Sequence, residues 1–361
     1  MHLNRRFVLA GGTASMMMTR TRPARSAPRF MVPAEEHPHL RCFMQWPVTR
    51  AVYADREFRR MTQATIADIA NTIAEFEPVV MLADAARHTT IRRQVSAAVE
   101  LWDIPTDDLW RRDAGPLFVN DGQGQQAIRQ MNFNGWGGKQ RHDNDGKIAE
   151  RVARHLSLPL LDSGLVGEPG GVDQDGHGLL IAHESSWINP NRNTGDRDTI
   201  TALLNTAFGT DQVIWAPGIV DQDITDYHID SLARFAGPGQ VLIQLPDQHD
   251  PHDPWLDAPF ETFDILSAFR GADGHALRLT VLPTPRHPRE ADPEFVASYA
   301  NYYVCNSAVI MAEFGDPDTD AEARDILAAA YPDREVIAIN VDVLGILGGG
   351  IHCATQQQPV P

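Results

Sequence analysis

Basic residues are scarce in this chain of 361 residues. Lys and Arg together number 31 against 48 Asp and Glu, which gives a formal net charge of −17. Proteins that bind nucleic acids through the phosphate backbone need clustered positive charge, so the composition argues against a nucleic-acid partner. A run of about 18 apolar residues is also lacking, so we expect no membrane span in the mature form. A small cationic ligand fits this charge balance better.

Cysteine is scarce as well, with Cys42, Cys305 and Cys353 as the whole set. Their separations do not match the spacing of a zinc finger. Three thiols cannot all pair within one chain, so at least one of them stays free. Whether Cys42 and Cys305 form a disulfide is left open by the sequence.

The first residues differ in character from the rest of the chain. Arg5 and Arg6 precede a short apolar stretch, residues 7–18, which is followed by further arginines. Paired arginines before an apolar run are typical of a twin-arginine export signal. We predict that residues 1–26 are such a signal and are cleaved, so that the mature protein is periplasmic or secreted. If translation begins at Met31 instead, the protein is cytoplasmic.

Helical patterns and short apolar strands alternate along the remaining chain. The predicted helices span 56–76, 144–156, 198–208, 258–271 and 320–330, and the strands that follow them span 78–82, 158–161, 212–216, 277–282 and 335–339. A further helix is predicted at 84–101. No G-x-G-x-x-G motif follows a strand, so these intervals indicate a repeated α/β architecture rather than a Rossmann sheet. We interpret residues 31–361 as one domain.

Residues 246–259 form the predicted surface loop, because Pro, His and Asp are dense there. Its His249, Asp250, His252 and Asp253 have the side chains of a metal-ligand cluster, yet a loop broken by prolines holds none of them rigidly. We expect these side chains to face solvent, and the sequence assigns no metal to the chain.

A glycine-rich segment near the C-terminus carries the first candidate for chemistry. Gly348, Gly349 and Gly350 lie just before Cys353, and glycines let a backbone approach a ligand closely. A free cysteine is more often a small buried apolar side chain than a nucleophile. The polar run that follows Cys353 argues against a plain core strand, so both interpretations stay open.

Two further segments combine a carboxylate with a group that suits a guanidinium ligand. Alternate residues of an extended strand share one face, which would make His228 and Asp230 a general acid–base and its charge partner. Trp110 and Asp113 supply an aromatic face and a carboxylate, the groups that hold a planar guanidinium. Each pattern also fits a surface strand or a turn, so neither segment decides the function alone.

Taken together and in order, the motifs resemble the agmatine deiminase and bacterial peptidyl-arginine deiminase family of the pentein superfamily. The resemblance covers nearly the whole chain after the export signal. It is carried by Met31-Val32-Pro33-Ala34-Glu35, Trp110-x-Arg112-Asp113-x-Gly115-Pro116, Phe133-Asn134-x-Trp136-Gly137-Gly138, Asn189-Pro190-Asn191-Arg192-Asn193, His228-x-Asp230, Ala297-Ser298-Tyr299-x-Asn301-x-Tyr303 and Ile351-His352-Cys353-x-Thr355-Gln356-Gln357. The fold that it implies is α/β, a five-bladed α/β propeller built from five repeated ββαβ-type units.

The resemblance also implies roles for individual residues. Cys353 is expected to be the nucleophile and His228 the general acid and base. Asp113 and Asp230 are expected to hold the guanidinium from two sides. The residues expected to line the substrate are Trp110, Asn301, Glu168 and Trp136. The implied chemistry uses no cofactor.

Two positions depart from the family pattern. The family's Glu-Gly-Gly-Ser-Ile-His loop appears here as residues 168–173, with Asp173 in the place of the usual histidine. Gly350 stands where the agmatine enzymes commonly have Asn. Neither change affects the nucleophile, the histidine or the paired carboxylates, but both leave the identity of the substrate open.

The reaction expected first is hydrolysis of agmatine to N-carbamoylputrescine and ammonia through a thiouronium intermediate on cysteine. Arginine within peptides is the alternative substrate, and it requires a cleft that admits a backbone. A non-catalytic guanidine-binding protein and an amidinotransferase are further alternatives. The presence of a nucleophile, a histidine and two carboxylates together argues against a mere binding protein. A homo-oligomer is left open.

Overall fold

The computed structural model describes residues 29–48, 52–272, 274–292 and 294–361. The predicted export signal, residues 1–26, lies outside the described residues. The strands are β1 (His39–Gln45), β2 (Val79–Ala83), β3 (Val99–Asp103), β4 (Leu117–Asn120), β5 (Gln126–Gln130), β6 (Leu160–Asp162), β7 (Val172–Gln174), β8 (Leu179–His183), β9 (Gln212–Ala216), β10 (Ala233–Phe235), β11 (Gln240–Gln244), β12 (Arg278–Leu282), β13 (Tyr303–Val304), β14 (Ala308–Glu313), β15 (Glu335–Asn340) and β16 (Gln356–Pro359). The helices are α1 (Arg56–Ile73), α2 (Ala85–Ile91), α3 (Arg111–Ala114), α4 (Gly135–Gly138), α5 (Ile148–Leu156), α6 (Glu184–Trp187), α7 (Arg197–Phe208), α8 (Pro254–Ala268), α9 (Pro317–Ala330) and α10 (Asp342–Ile346).

The described strands form five sheets with one recurring connection pattern. In the sheet β4-β5-β6, an antiparallel pair is followed by a helix and then by a parallel strand. The sheets β7-β8-β9, β10-β11-β12 and β13-β14-β15 repeat this order. A crossover of helical length is what a parallel pair needs, whereas the antiparallel pair is joined by a short turn. The ββαβ order expected from the resemblance is therefore present in four consecutive segments.

The remaining sheet joins the two ends of the described chain. Its order is β16-β1-β2-β3, so the C-terminal strand pairs antiparallel with the first strand. Strand β1 then pairs parallel with β2 across α1. Because β16 fills the place of the first strand in a ββαβ unit, the fifth unit is completed by the last residues of the chain. This pairing brings the segment just before β16 next to the other units.

Most predicted helices and strands are confirmed to within a few residues. The N-terminus of α1 is capped by Asp55, whose carboxylate accepts from the amide of Phe58 at 2.6 Å. Helix α7 is capped by Asp196 at its start and ends at Gly209 in the left-handed region. Carboxylate caps and a left-handed glycine satisfy the free backbone groups of a helix at its two ends. These local capping signals explain why the apolar spacing predicted the bounds of these helices well.

The predicted helix over residues 84–101 is wrong in its second half. Helix α2 ends at Ile91, and residues 99–103 form the edge strand β3 instead. The turn between them is fixed by Asn71, whose side chain accepts from the amide of Ser96 at 2.7 Å. Hydrogen bonding to β2 satisfies the backbone of β3 along one edge, and that tertiary pairing overrides the local helical pattern.

The predicted loop over residues 246–259 is also too long, because α8 begins at Pro254. Asp253 caps this helix by accepting from the amide of Trp255 at 2.9 Å. A proline in the first helical turn lacks only an amide that would have no partner there. The neighbouring His249 forms an exposed ion pair with Asp257 at 2.6 Å. Among the described residues, no group of three or more potential ligands is arranged to hold a metal ion.

Aromatic packing joins the first two sheets. The ring of Phe43 on β1 stacks on Phe118 of β4, with ring centroids 5.8 Å apart, and meets Trp102 of β3 edge-on at 5.3 Å.

Cys42 and Cys305 are buried in a neighbouring cluster as free thiols. Within the described ranges, no helix has both the length and the apolar character that crossing a bilayer requires.

Candidate active site

The segments that lead into the first strand of each unit carry the predicted site residues. Helix α3, with Asp113, precedes β4, and the turn 169–171 with Glu168 before it precedes β7. The remaining members of this set are His228 and Asp230 before β10, Asn301 before β13 and Cys353 before β16. These positions are equivalent in the repeat, although their sequences differ. Their side chains are distant along the chain and meet in one buried place.

Asp113 is oriented by a tryptophan from a different segment. The indole nitrogen of Trp136 donates to Asp113 Oδ2 at 2.9 Å. Trp136 has a backbone φ of 55°, an uncommon conformation for a bulky residue, and it packs edge-on against Phe133. The other carboxylate oxygen, Asp113 Oδ1, is buried and has no hydrogen-bond partner among the described residues. Burial raises the pKa of Asp113 to about 7 against the opposing effect of His228.

His228 does not lie in the predicted strand. Its backbone is extended, but residues 229–231 form a single 3₁₀ turn, and β10 begins only at Ala233. The two preceding residues, Asp226 and Tyr227, have φ values of 59° and 69°. Hydrogen bonds hold this unusual backbone: the carbonyl of Asp226 accepts from Ser185 at 2.6 Å. His228 and Asp230 are therefore not placed by strand alternation, and the close carboxylate partners of His228 are Glu168 and Asp113 rather than Asp230.

The imidazole of His228 lies between two carboxylates. Its Nε2 is 3.3 Å from Glu168 Oε2, and its Nδ1 is 3.6 Å from Asp113 Oδ1. Burial disfavours the charged imidazolium, but Asp113, Glu168 and Asp230 outweigh it and raise the pKa of His228 to about 9. Arg192 is buried behind Glu168 and donates to it from Nε at 2.8 Å. The site therefore favours a protonated histidine at neutral pH.

Asp230 is the second carboxylate of the centre and is fully buried. Its Oδ2 accepts from Nδ1 of His352 at 2.7 Å and lies 3.4 Å from the sulfur of Cys353. Its Oδ1 has no partner among the residues described. Burial alone would raise the pKa of Asp230, but the hydrogen bond and charge of His352 lower it below its usual value. Asp230 is therefore held as an anion.

Cys353 is partly exposed and is held by Asn301 on two sides. The amide nitrogen of the Asn301 side chain donates to the sulfur at 3.1 Å, and its oxygen accepts from the Cys353 backbone amide at 3.3 Å. Burial of the sulfur and the negative charges of Asp230 and Asp113 raise the pKa of the Cys353 thiol well above its usual value. The thiol is therefore protonated at neutral pH unless a cation lies beside it.

The backbone of Gly170 lies close to the side chains of Asp113, His228 and Asp230. A Cβ at this position would lie 2.6 Å from Asp113 Oδ1, 2.9 Å from His228 Nδ1 and 3.3 Å from Asp230 Oδ2. Real Cβ atoms essentially never come within 3.0 Å of another heavy atom. The absence of a side chain at Gly170 therefore keeps the space between the two carboxylates and the histidine open.

Trp110 lies beside the cysteine rather than between the carboxylates. It is the residue before α3, and its ring packs on the backbone of Gly349, where a Cβ would lie 2.6 Å from the ring. The same Cβ would be 3.4 Å from the sulfur of Cys353. Trp110 is half-buried, so its ring forms a wall next to the nucleophile candidate. The structure thus brings all eight predicted site residues into one region.

Sequence reasoning gave no role to His352, Arg192 or Glu35, although all three lie inside quoted motifs. Their positions in the sequence could have indicated a role, because His352 directly precedes the cysteine and Arg192 lies in a loop dense in asparagine. Asp173, the departure from the family pattern, accepts from Arg234 at 3.3 Å and from the amide of Phe235 at 2.6 Å. It therefore faces a cation behind the site instead of the open space above Gly170.

Comparison with known proteins places this geometry in a family context. Residues 31–359 match the model of the Porphyromonas-type peptidyl-arginine deiminases. The chain is 34% identical to the agmatine deiminase of Pseudomonas putida, over 93% of this chain and 98% of that protein. It is 35% identical to a putative agmatine deiminase of Streptomyces coelicolor, over 91% and 99% of the two chains. The solved agmatine deiminase of Enterococcus faecalis superposes with a TM-score of 0.85 at 25% identity, covering 92% of this chain and 96% of that one.

The raised pKa of His228 predicts how stability depends on pH. A histidine whose pKa is higher in the folded state stabilises the fold fully below its unfolded value of about 6.5, and this contribution is lost as the pH rises through about 9. The difference in unfolding free energy between the wild type and His228→Gln should therefore shrink from pH 6 to pH 10, by on the order of 3 kcal/mol. Thermal and urea unfolding at a series of pH values measure it.

The exposed His287 provides the matched control for this series. His287→Gln is a surface substitution, so its effect should stay within about 0.5 kcal/mol at every pH. A gap between wild type and His228→Gln that does not change from pH 6 to pH 10 would show that the carboxylates do not hold a proton on His228.

Proposed function

Because the chain belongs to the Porphyromonas-type peptidyl-arginine deiminase family, we propose that agmatine is the substrate of its guanidine-hydrolysing activity. The enzyme is a hydrolase that acts on a guanidinium C–N bond. With agmatine, the products are N-carbamoylputrescine and ammonia. The names of the relatives at 34% and 35% identity support agmatine over other guanidines.

The observation that carries the proposal is the pair of unsatisfied oxygens on Asp113 and Asp230. Both Oδ1 atoms are buried without a hydrogen-bond partner among the described residues, a costly condition for a carboxylate. A guanidinium is planar, always charged and carries several N–H donors in a fixed arrangement. In the space above Gly170 it would reach Oδ1 of Asp113 and the carboxylate of Asp230, whose Oδ2 lies at the edge of that space.

Binding of the cation would also prepare the nucleophile. The two carboxylates hold a proton on Cys353 in the free enzyme, and a guanidinium between them offsets their charge. The thiol can then lose its proton to solvent and attack the central carbon as a thiolate. Asn301 stabilises the sulfur through its side-chain amide at 3.1 Å. Two opposed carboxylates orient the carbon for this attack, which lowers the entropic part of the barrier.

His228 is suited to both proton transfers. As an imidazolium it gives its proton to the departing nitrogen, the C–N bond breaks, and ammonia leaves a thiouronium on Cys353. The neutral imidazole then takes a proton from water as the water attacks the same carbon. Collapse of this adduct breaks the C–S bond and restores the thiolate and the imidazolium, and the hydroxyl proton of the adduct passes to solvent as the neutral ureido product leaves. Oε2 of Glu168 lies 3.3 Å from Nε2 of His228 and favours the charged imidazolium at the start and at the end of the cycle.

We further propose that the five sheets are the blades of a pentein-type α/β propeller. The support is the repeated ββαβ order and the completion of the first sheet by β16. The equivalent positions of the site segments, each leading into the first strand of a unit, fit a common axis. Such closure leaves the site at the end of the axis where these segments meet.

Replacement of the nucleophile tests the proposed chemistry. Cys353→Ala should lower ammonia release by ~10⁴-fold or more, because the covalent step is lost. The buried Cys305→Ala serves as control and should stay active. The assay offers agmatine, free arginine and an arginine-containing peptide in parallel to each protein, with a protein-free sample as blank. Preference for the peptide would make the protein a peptidyl-arginine deiminase, and undiminished turnover in Cys353→Ala would refute the mechanism.

The open space above Gly170 gives a second test. Gly170→Ala adds a methyl group between Asp113 Oδ1 and His228 Nδ1, so kcat/KM should fall ~100-fold from misplacement of the guanidinium. Gly146→Ala is the control, because its Cβ meets no atom closer than 3.3 Å and its φ is ordinary. Steady-state kinetics on agmatine measure both. Equal activity of the two variants would mean that the guanidinium does not occupy this space.

We also propose that the protein is exported, on the evidence of the paired arginines near the N-terminus. Export through the twin-arginine route requires both arginines, so Arg5→Lys with Arg6→Lys should retain the full-length protein in the cytoplasm. Cell fractionation with immunodetection measures this, and a chain started at Met31 provides the cytoplasmic reference. An unchanged periplasmic fraction in the double variant would refute the assignment.

A further inference from the structure

Glu35 lies far from the site residues along the chain but inside the structure beside them. It follows the isolated bridge at Met31 and precedes β1, and its side chain is buried. Its Oε1 accepts from the amide of Val304 on β13 at 3.2 Å. Its Oε2 accepts from Arg234 of β10 at 2.7 Å and lies 3.5 Å from Arg112 of α3. One carboxylate thus contacts three of the segments that carry the site.

The same Oε2 atom also contacts the residue before the nucleophile. Nε2 of His352 lies 2.9 Å from Glu35 Oε2, and Nδ1 of the same ring lies 2.7 Å from Asp230 Oδ2. A carboxylate oxygen can only accept, so two ionised carboxylates are both satisfied when the imidazole donates from both nitrogens. The ring of His352 is therefore fixed at both ends, between Glu35 and the carboxylate that faces the guanidinium.

We propose that Glu35 and His352 form a buried positioning pair that holds Asp230 in the orientation that receives the guanidinium. The inference rests on the proposed function and extends it to two residues that do not touch the substrate. Oδ2 of Asp230, which His352 holds, is also the oxygen nearest Cys353 and the space above Gly170, while Oδ1 has no hydrogen-bond partner among the described residues. Without His352, the carboxylate is free to rotate about its last bond and to present either oxygen, or neither, to the guanidinium.

Several charged groups surround this pair. Burial raises the pKa of Asp230, and His352, His228 and Arg234 lower it. In addition to burial, the charge of Asp230 raises the pKa values of Cys353 and Asp113. Burial, Arg112 and Arg234 together lower the pKa of His352 below its usual value, although Glu35 and Asp230 oppose them. Removing the charge of Glu35 would lower it further, so Glu35 supports His352 as a hydrogen-bond donor. Loss of His352 removes a hydrogen bond from Asp230, and loss of Glu35 weakens that bond, so either change raises the pKa of Asp230.

A dependence on pH distinguishes this role from a purely structural one. Burial already raises the pKa of Asp113 to about 7, so one protonation weakens guanidinium binding on the acid side in the wild type. If Asp230 also becomes easier to protonate, a second proton competes with the substrate at low pH. The disadvantage of a positioning variant should then grow as the pH falls, whereas a simple packing defect costs the same at each pH.

The test compares Glu35→Gln and His352→Gln with Glu77→Gln in the full-length enzyme. Glu77 is also a buried carboxylate hydrogen-bonded to a buried histidine, but its contacts are with His39, Tyr303 and Asn306 rather than with the site. kcat and KM for agmatine are measured from pH 5 to pH 8.

We expect the ratio of wild-type to variant kcat/KM to grow ~10-fold or more from pH 8 to pH 5 for Glu35→Gln and His352→Gln, mainly through KM. For Glu77→Gln the ratio should be constant with pH. A constant ratio for the two test variants, or an equal growth for Glu77→Gln, would overturn the inference.

Three outcomes distinguish failure of the positioning role from failure of the proposed function. If neither test variant folds at pH 7, by circular dichroism, the pair is a requirement of the fold and the positioning role is overturned. If the wild type releases no ammonia from agmatine, arginine or an arginine peptide, the proposed function itself fails. If the wild type is active while both test variants retain its pH profile, only the positioning role fails.

Discussion

Two carboxylate oxygens, Oδ1 of Asp113 and Oδ1 of Asp230, are buried without a hydrogen-bond partner among the described residues, and the site is arranged around them. Unpaired buried charge destabilises a protein, so the surrounding groups must hold these carboxylates in place. Trp136 occupies the second oxygen of Asp113, and His352 occupies the second oxygen of Asp230. Each carboxylate is thereby fixed on one side and left open on the other.

The same constraint explains the unusual proton affinities in this region. Concentrated negative charge keeps a proton on His228 and on the thiol of Cys353 in the absence of a cation. In the proposed mechanism a guanidinium reverses the condition for the thiol, because it brings positive charge to the carboxylates that opposed ionisation. The thiol of the free site is protonated. Under this proposal, binding of the guanidinium activates it.

Support for the centre comes from behind it, through two buried cations and a carboxylate. Arg192 holds Glu168 against His228, and Arg234 holds Glu35 against His352. Both arginines are buried and form hydrogen bonds with carboxylates. The planar guanidinium group, with its several N–H donors, suits this contact better than the ammonium group of lysine. Rigid partners of this kind keep reacting groups within the small tolerances that catalysis needs.

The sequence by itself determined the alternation of helices and strands and predicted the main members of the candidate site. Capping residues such as Asp55 and Asp196 and apolar spacing gave the helices, because these signals are local. The ordered motifs predicted that Cys353, His228, Asp113 and Asp230 belong to one site. Only the tertiary structure decided that residues 99–103 are a strand and that His228 precedes a turn, since pairing with other segments outweighs local pattern. It alone placed Glu35 on His352, because contacts between residues 317 positions apart leave no periodic trace.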